Sequence, residues 1–162
     1  SWATEPAFVE FIASDLASRL EQMPAGTHVV FTAHSLPQRI IDSGDPYPDE
    51  LRSTAQAVAA RVGLEEDNSW SIGWQSAGRT PEPWIGPDIL DVIDDVGANG
   101  THPGVMVSAV GFVADHLEVL YDLDIEARAH AEQAGLAFDR TACVNDDPAV
   151  LHALAQRVVD AG

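Results

Sequence analysis

The acids between Asp115 and Glu126 are the part of this sequence best equipped for chemistry. Asp115, Glu118, Asp122, Asp124 and Glu126 supply five carboxylates with no basic residue before Arg128. Glu118, Asp122 and Glu126 recur at four-residue spacing. At about 100° per residue each such step drifts by roughly 40°, so on a helix the three line one stripe. Val113, Leu117, Leu120 and Tyr121 fall roughly on the opposite face. The stripe has two readings. One is the solvated face of an amphipathic helix. The other is a row of cation ligands, because like charges at i,i+4 cost an isolated helix about 0.2–0.5 kcal/mol each, which a divalent ion would relieve. His116 and Glu118 look like a ligand pair, yet two-residue spacing sets them about 200° apart on a regular helix, and only a local π-bulge would aim both at one ion.

A second candidate is His34, which directly follows an apolar, β-branched run. In open α/β sheets the site lies beyond the carboxyl ends of the strands. A neutral imidazole there could take a proton or bind a metal, and it could equally cap a loop by hydrogen bonds. Gln75-Ser76-Ala77-Gly78, and Gly111-Phe112 with the helix after it, also follow strand-like runs. Cys143 is the only cysteine, which excludes a disulfide framework and reads as a small buried hydrophobe. Trp70, Trp74 and Trp84 are core residues by default, although Trp84 lies in a Pro/Gly loop and could wall a flat ligand. No glycine fingerprint for phosphate follows a strand.

The elements that must position these groups alternate in kind. Phe8, Phe11, Ile12, Leu16 and Leu20 predict an amphipathic helix ending near Met23-Pro24. Residues 27–33 (THVVFTA) predict a buried strand, followed by a polar loop over 34–48. Leu51, Ala55, Val58 and Val62 mark a helix stopped by Gly63. Residues 70–74 predict a short strand, and 76–87 (SAGRTPEPWIGP) a long loop of the kind that often carries function. Ile89, Val92, Ile93 and Val96 make a helix, 105–112 a strand, and 113–135 a long helix. Residues 139–144 predict a fourth strand, and Asp147 caps a last helix with Pro148 at its first position. The order predicts one α/β domain of three αβα layers on a mostly parallel four-stranded sheet.

The 162 residues hold 26 acids against 8 bases, all arginine, for a formal net charge of −18. With 46% hydrophobic residues, such a chain is globular rather than disordered. Phosphate neutralisation needs clustered Lys/Arg, so nucleic acid is excluded as a partner, and anionic membrane surfaces are repelled. The longest apolar runs fall far short of a membrane span. The start has neither a basic nor an apolar leader segment, and the single cysteine fits a reducing cytoplasm.

Four blocks together carry a resemblance: FTAHSLP (31–37), GDPYPDEL (44–51), GWQSAGRTPEPWIGPD (73–88) and GFVADHLEVLYDLDIE (111–126). In this order they closely resemble the C-terminal half of ferrochelatases, and the likeness runs over essentially all 162 residues. AGRTPE (77–82) looks like the bacterial branch that metallates coproporphyrin III. The resemblance implies a chelatase-like αβα fold and insertion of Fe²⁺ into a porphyrin in haem biosynthesis. It makes His34 and Glu118 the catalytic pair facing the porphyrin. His34, Glu118, Asp122 and Glu126 become the metal residues, the last two continuing along a π-helical stretch as a route for metal or protons. Ser35, Trp84, Asp115 and His116 become substrate-binding. The expected partners are the porphyrin, Fe²⁺ as substrate, and an N-terminal chelatase half.

Metal insertion must remove two pyrrole protons and strip water from the ion, so a base and labile oxygen ligands are suitable groups. The cleft is expected to hold the macrocycle distorted, with pyrrole nitrogens tilted towards the metal. Family members are about twice this long, and Ser1 opens inside a family block, so residues 1–162 are expected to be a C-terminal domain separated from its N-terminal half. No resident cofactor is expected, and Cys143 alone does not support an iron–sulfur cluster. Two other readings stand beside this one: a short dimeric chelatase for sirohydrochlorin-like tetrapyrroles, and a non-catalytic haem or metal carrier.

Overall fold

The computed structural model describes residues 1–65 and 68–162. Helices α1 (Pro6–Leu20), α2 (Gln38–Asp42), α3 (Tyr47–Val62), α4 (Ile89–Asn99), α5 (Leu117–Val119), α6 (Arg128–Gln133) and α7 (Pro148–Ala161) accompany strands β1 (His28–His34), β2 (Trp70–Gln75), β3 (Gly104–Ser108) and β4 (Ala137–Arg140). A π-helical segment, Leu120–Ala127, joins α5 to α6 without a break.

The four strands lie in the order β2-β1-β3-β4, all parallel. Crossover helices must therefore cover both faces, and the strand sequences are accordingly apolar on both sides. Val29, Phe31 and Ala33 of β1 pack with Phe8 and Leu16 of α1, Val58 of α3 and Val150 of α7. Val30 joins Ile93 of α4, Val105 and Val107 of β3, and Val119, Leu123, Ala127 and Ala131 of the long helical run. This is the three-layer αβα domain that the element order predicts. Gly63 ends α3 in the left-handed region at φ 73°, and Asp147 accepts from Ala149 N and Val150 N at 3.0 Å, as expected at those two positions.

Several boundaries differ. The expected strand over 105–112 stops at Ser108, because the chain turns there: Val110 N bonds back to Ser108 O and Gly111 N crosses to Thr32 O. Only glycine fits that crossing, since a Cβ on Gly111 would lie 2.2 Å from the Ala33 Cβ. The fourth strand is Ala137–Arg140 rather than 139–144, its ladder ending with β3 at the pair Val107–Arg140. The long helix starts at Leu117 rather than Val113, because Asn145 holds the preceding turn, donating its N–H to Val113 O and accepting from Asp115 N. The loop over 34–48 contains the short helix α2, and α3 begins at Tyr47.

Candidate functional site

The carboxyl ends of β1 and β2 and the turn after β3 meet on one side of the sheet. His34 ends β1, in register with Gln75, and Ser35 N donates to Gln75 O at 2.7 Å. Tyr47 reaches across from α3 and donates its hydroxyl to His34 O at 3.1 Å. Burial pushes the Tyr47 phenol above its usual pKa, so it stays a donor, although its bond to His34 pulls the other way. His34 Nδ1 lies against Ser35 O. A carbonyl only accepts, so Nδ1 carries the proton and Nε2 is the free lone pair of the neutral ring.

That nitrogen faces Glu118 Oε1 at 3.3 Å, with both side chains part-exposed. Two acceptors this close repel unless a proton or a cation lies between them. The pair can therefore share one proton or grip an ion from one side. The Phe112 ring stands between His34 and His116, at centroid distances of 6.5 and 5.6 Å.

His116 is not on the helix. Its backbone is extended, at φ −91° and ψ 173°, and its Nδ1 accepts from Val119 N as the cap of α5. The angular argument against His116 and Glu118 sharing a side therefore lapses, and both line an open hollow with Leu117, Tyr121 and Asp122. The apolar set Val113, Leu117, Leu120 and Tyr121 is not the buried face: Leu117 is 82% exposed, while Val119, Leu123 and Ala127 are fully buried. The wider π winding rephases the face that meets the sheet.

Asp122 is tied to the end of β2 by the Ser76 hydroxyl. Ser76 itself takes φ 58°, in the left-handed region. Burial first, then the charges of Asp91 and Asp122, raise the carboxyl pKa of Asp88 at the start of α4. Glu126 lies further along, exposed, outside the hollow. Among the described residues no three His, Cys, Asp or Glu gather around one point as a closed metal centre. His34 and Glu118 are brought together; Asp122 shares the hollow with Glu118, and Glu126 lies outside it.

The remaining three candidates, Ser35, Trp84 and Asp115, are each committed to hydrogen bonds within the protein. Ser35 is buried and donates its hydroxyl to Ile85 O at 2.7 Å, tying the 76–87 loop beneath His34. Trp84 bridges to Pro37, its indole N–H donating to Thr80 at 2.8 Å, and its ring lies over Gly78. Asp115 accepts from Arg140 at 2.7 Å and from Asn145 at 2.8 Å. Burial would raise its pKa, but these hydrogen bonds and the Arg140 charge more than offset that and lower it. Cys143 is buried, and burial, with the nearby Asp115, pushes its thiol up to about 12.

Sequence reasoning did not single out Tyr47, Arg140 or Asn145, and it named Phe112 only as part of a stretch that follows a strand. Ser76 could have been weighted more, because it follows β2 as His34 follows β1.

Comparison with known proteins identifies a family. The ferrochelatase family model matches residues 1–161. The chain is 44% identical over 158 residues to a ferrochelatase of Herpetosiphon aurantiacus, covering 95% of this chain and 50% of that protein. It is 41% identical to a ferrochelatase of Deinococcus radiodurans, over 96% of the chain and 50% of that protein. It is 40% identical to a coproporphyrin III ferrochelatase of Geobacillus kaustophilus, over 98% and 50% respectively. The chain thus spans about half the length of the curated relatives it matches. Among the described residues no helix is long and apolar enough to cross a membrane. The chain belongs to the ferrochelatase family.

Proposed function

We propose that this chain is the metal-inserting half of a ferrochelatase, acting with an N-terminal half to place Fe²⁺ in coproporphyrin III. The observation that carries the reading is His34 Nε2 facing Glu118 Oε1 at 3.3 Å, with Nδ1 committed to Ser35 O. The relatives named coproporphyrin III ferrochelatase, and the AGRTPE loop at 77–82, support that porphyrin over others.

The reaction exchanges two pyrrole protons for one Fe²⁺, so the balance is metalloporphyrin plus two protons. His34 Nε2, whose lone pair is the ring's one free acceptor, takes the two pyrrole protons in turn and passes the first to solvent before it takes the second. The imidazolium so formed is stabilised by the Glu118 carboxylate beside it. That carboxylate also serves as an oxygen ligand for the arriving ion, one weak enough to let it go. Asp122 and Glu126 continue from Glu118 along the same helix as the route by which metal enters or protons leave. Leu117 and Tyr121 offer apolar surface to the macrocycle beside the pair.

The test is anaerobic porphyrin metallation by the full-length protein, followed by absorbance. His34→Ala and Glu118→Gln should each lower kcat by about 10²–10⁴-fold, the range for loss of a positioned acid or base. Full activity in both variants would remove the pair from the mechanism. Faster turnover of protoporphyrin IX than of coproporphyrin III would reject the substrate assignment alone.

A further inference from the structure

Arg140 uses all three of its nitrogens as hydrogen-bond donors. It stands at the end of β4, and its side chain is only 13% exposed. Nε and Nη2 bond both oxygens of Asp124 at 2.7 and 2.9 Å, while Nη1 bonds Asp115 at 2.7 Å and Thr141 O at 3.1 Å. Asp115 precedes the helical run and Asp124 lies inside its π segment. One rigid guanidinium thus ties together two points nine residues apart, with Glu118 between them. Asn145 secures the first point a second time, at φ 51°, through both its amide side chain and its backbone.

A π turn closes bonds to i+5 and holds an extra residue compared with an α turn. It is the rarer winding, and it persists only where surrounding contacts dictate it. If the eight residues Leu120–Ala127 rewound as α-helix, Asp124 would swing round the axis relative to Asp115. The planar fork could then no longer hold both carboxylates, because bidentate pairing fixes direction as well as distance.

From this we infer that Arg140 is a positioning residue: by bonding Asp115 and Asp124 together it locks the π winding and thereby holds Glu118 opposite His34. The inference deepens the metal-insertion reading and rests on it for its effect on turnover, though not for its effect on the helix.

The test uses the full-length protein with Arg140→Lys, which keeps the charge and loses the fork. Asp124→Asn is the second variant, leaving Arg140 paired with Asp115. Arg19→Lys is the control, since Arg19 pairs with Asp15 and Asp139 without touching the π segment. Amide hydrogen exchange of residues 117–127 is read beside porphyrin affinity and kcat for Zn²⁺ insertion. Arg140→Lys and Asp124→Asn should speed exchange in 117–127 while leaving that of β1 unchanged. Each should lower kcat about tenfold, as a displaced reacting group would, with porphyrin affinity kept within about twofold. Arg19→Lys should do neither. Unchanged exchange in 117–127, or equally faster exchange throughout the domain, would overturn the inference. If the wild-type protein metallates no porphyrin, the exchange data still decide whether Arg140 locks the helix, and only the functional reading falls.

Discussion

The Ser76 hydroxyl donates to the Asp122 carboxylate, joining the carboxyl end of β2 to the π segment. Ser76 does so from a left-handed backbone, at φ 58°, that costs a non-glycine residue about 1–2 kcal/mol. The hydrogen bond and the strain therefore oppose each other in one residue. Ser76→Ala should lose the bond, keep the strain and destabilise the full-length protein by about 1–2 kcal/mol. Ser76→Gly loses the bond but relieves the strain, so its melting temperature should exceed that of Ser76→Ala. An equal or lower value for the glycine variant would show that the backbone carries no strain.

His28 opens β1, with Nε2 bonded to Ser71 at 2.9 Å and Nδ1 buried without a hydrogen-bond partner. Burial, and secondarily the neighbouring His102, depress its pKa to about 4. Between about 6.5 and 4 the unfolded chain therefore binds a proton that the folded chain does not. Stability from this group is complete above about pH 6.5 and falls as pH drops towards 4, by a total on the order of 2–3 kcal/mol. Urea midpoints at pH 7, 5.5 and 4 should converge for wild type and His28→Gln as the pH falls. Parallel curves would show that His28 is not the responsible group.

Gly111 backs onto Ala33, the residue before His34. A methyl group there would sit 2.2 Å from the Ala33 Cβ and 2.7 Å from its Cα, so the backbone itself must move. Gly111→Ala should cost about 1–3 kcal/mol and lower metallation as well, because the displaced strand end carries His34. Wild-type turnover with reduced stability would separate the crossing from the proposed site.

Cys143 is buried and its thiol is held up at about 12 by burial and by Asp115. A thiol-specific reagent at pH 8 should therefore react slowly with the native protein and fast once it is unfolded. Rapid reaction in the native state would mean that the 141–145 turn opens readily.

The layers, the sheet and the helix caps were legible because they follow from local rules: apolar period, β-branched runs, Gly63, Asp147. His34 was legible as a residue directly after a strand. What could not be read from periodicity was the winding of residues 120–127, which an α-helical count puts out of phase. That count set Leu117 and Tyr121 on the inner face, where Val119 and Leu123 lie instead. Nor does spacing reveal that Arg140 and Asn145, more than twenty residues beyond Glu118, secure the turn at 113–116. Those contacts are tertiary, and His116 is capping rather than helical because of them.

The two members of the His34–Glu118 pair are anchored very differently. His34 ends a central strand: its neighbour Ser35 is bonded to β2, and Thr32, two residues back, to the crossing at Gly111. Glu118 rides on a three-residue turn that leads straight into irregular winding. One jaw of this vice is fixed to the sheet by backbone bonds, and the other is held by side-chain contacts to Asp115, Asp122 and Asp124. A substitution that disturbs those contacts should therefore change the gap from the helical side and leave His34 where the sheet holds it.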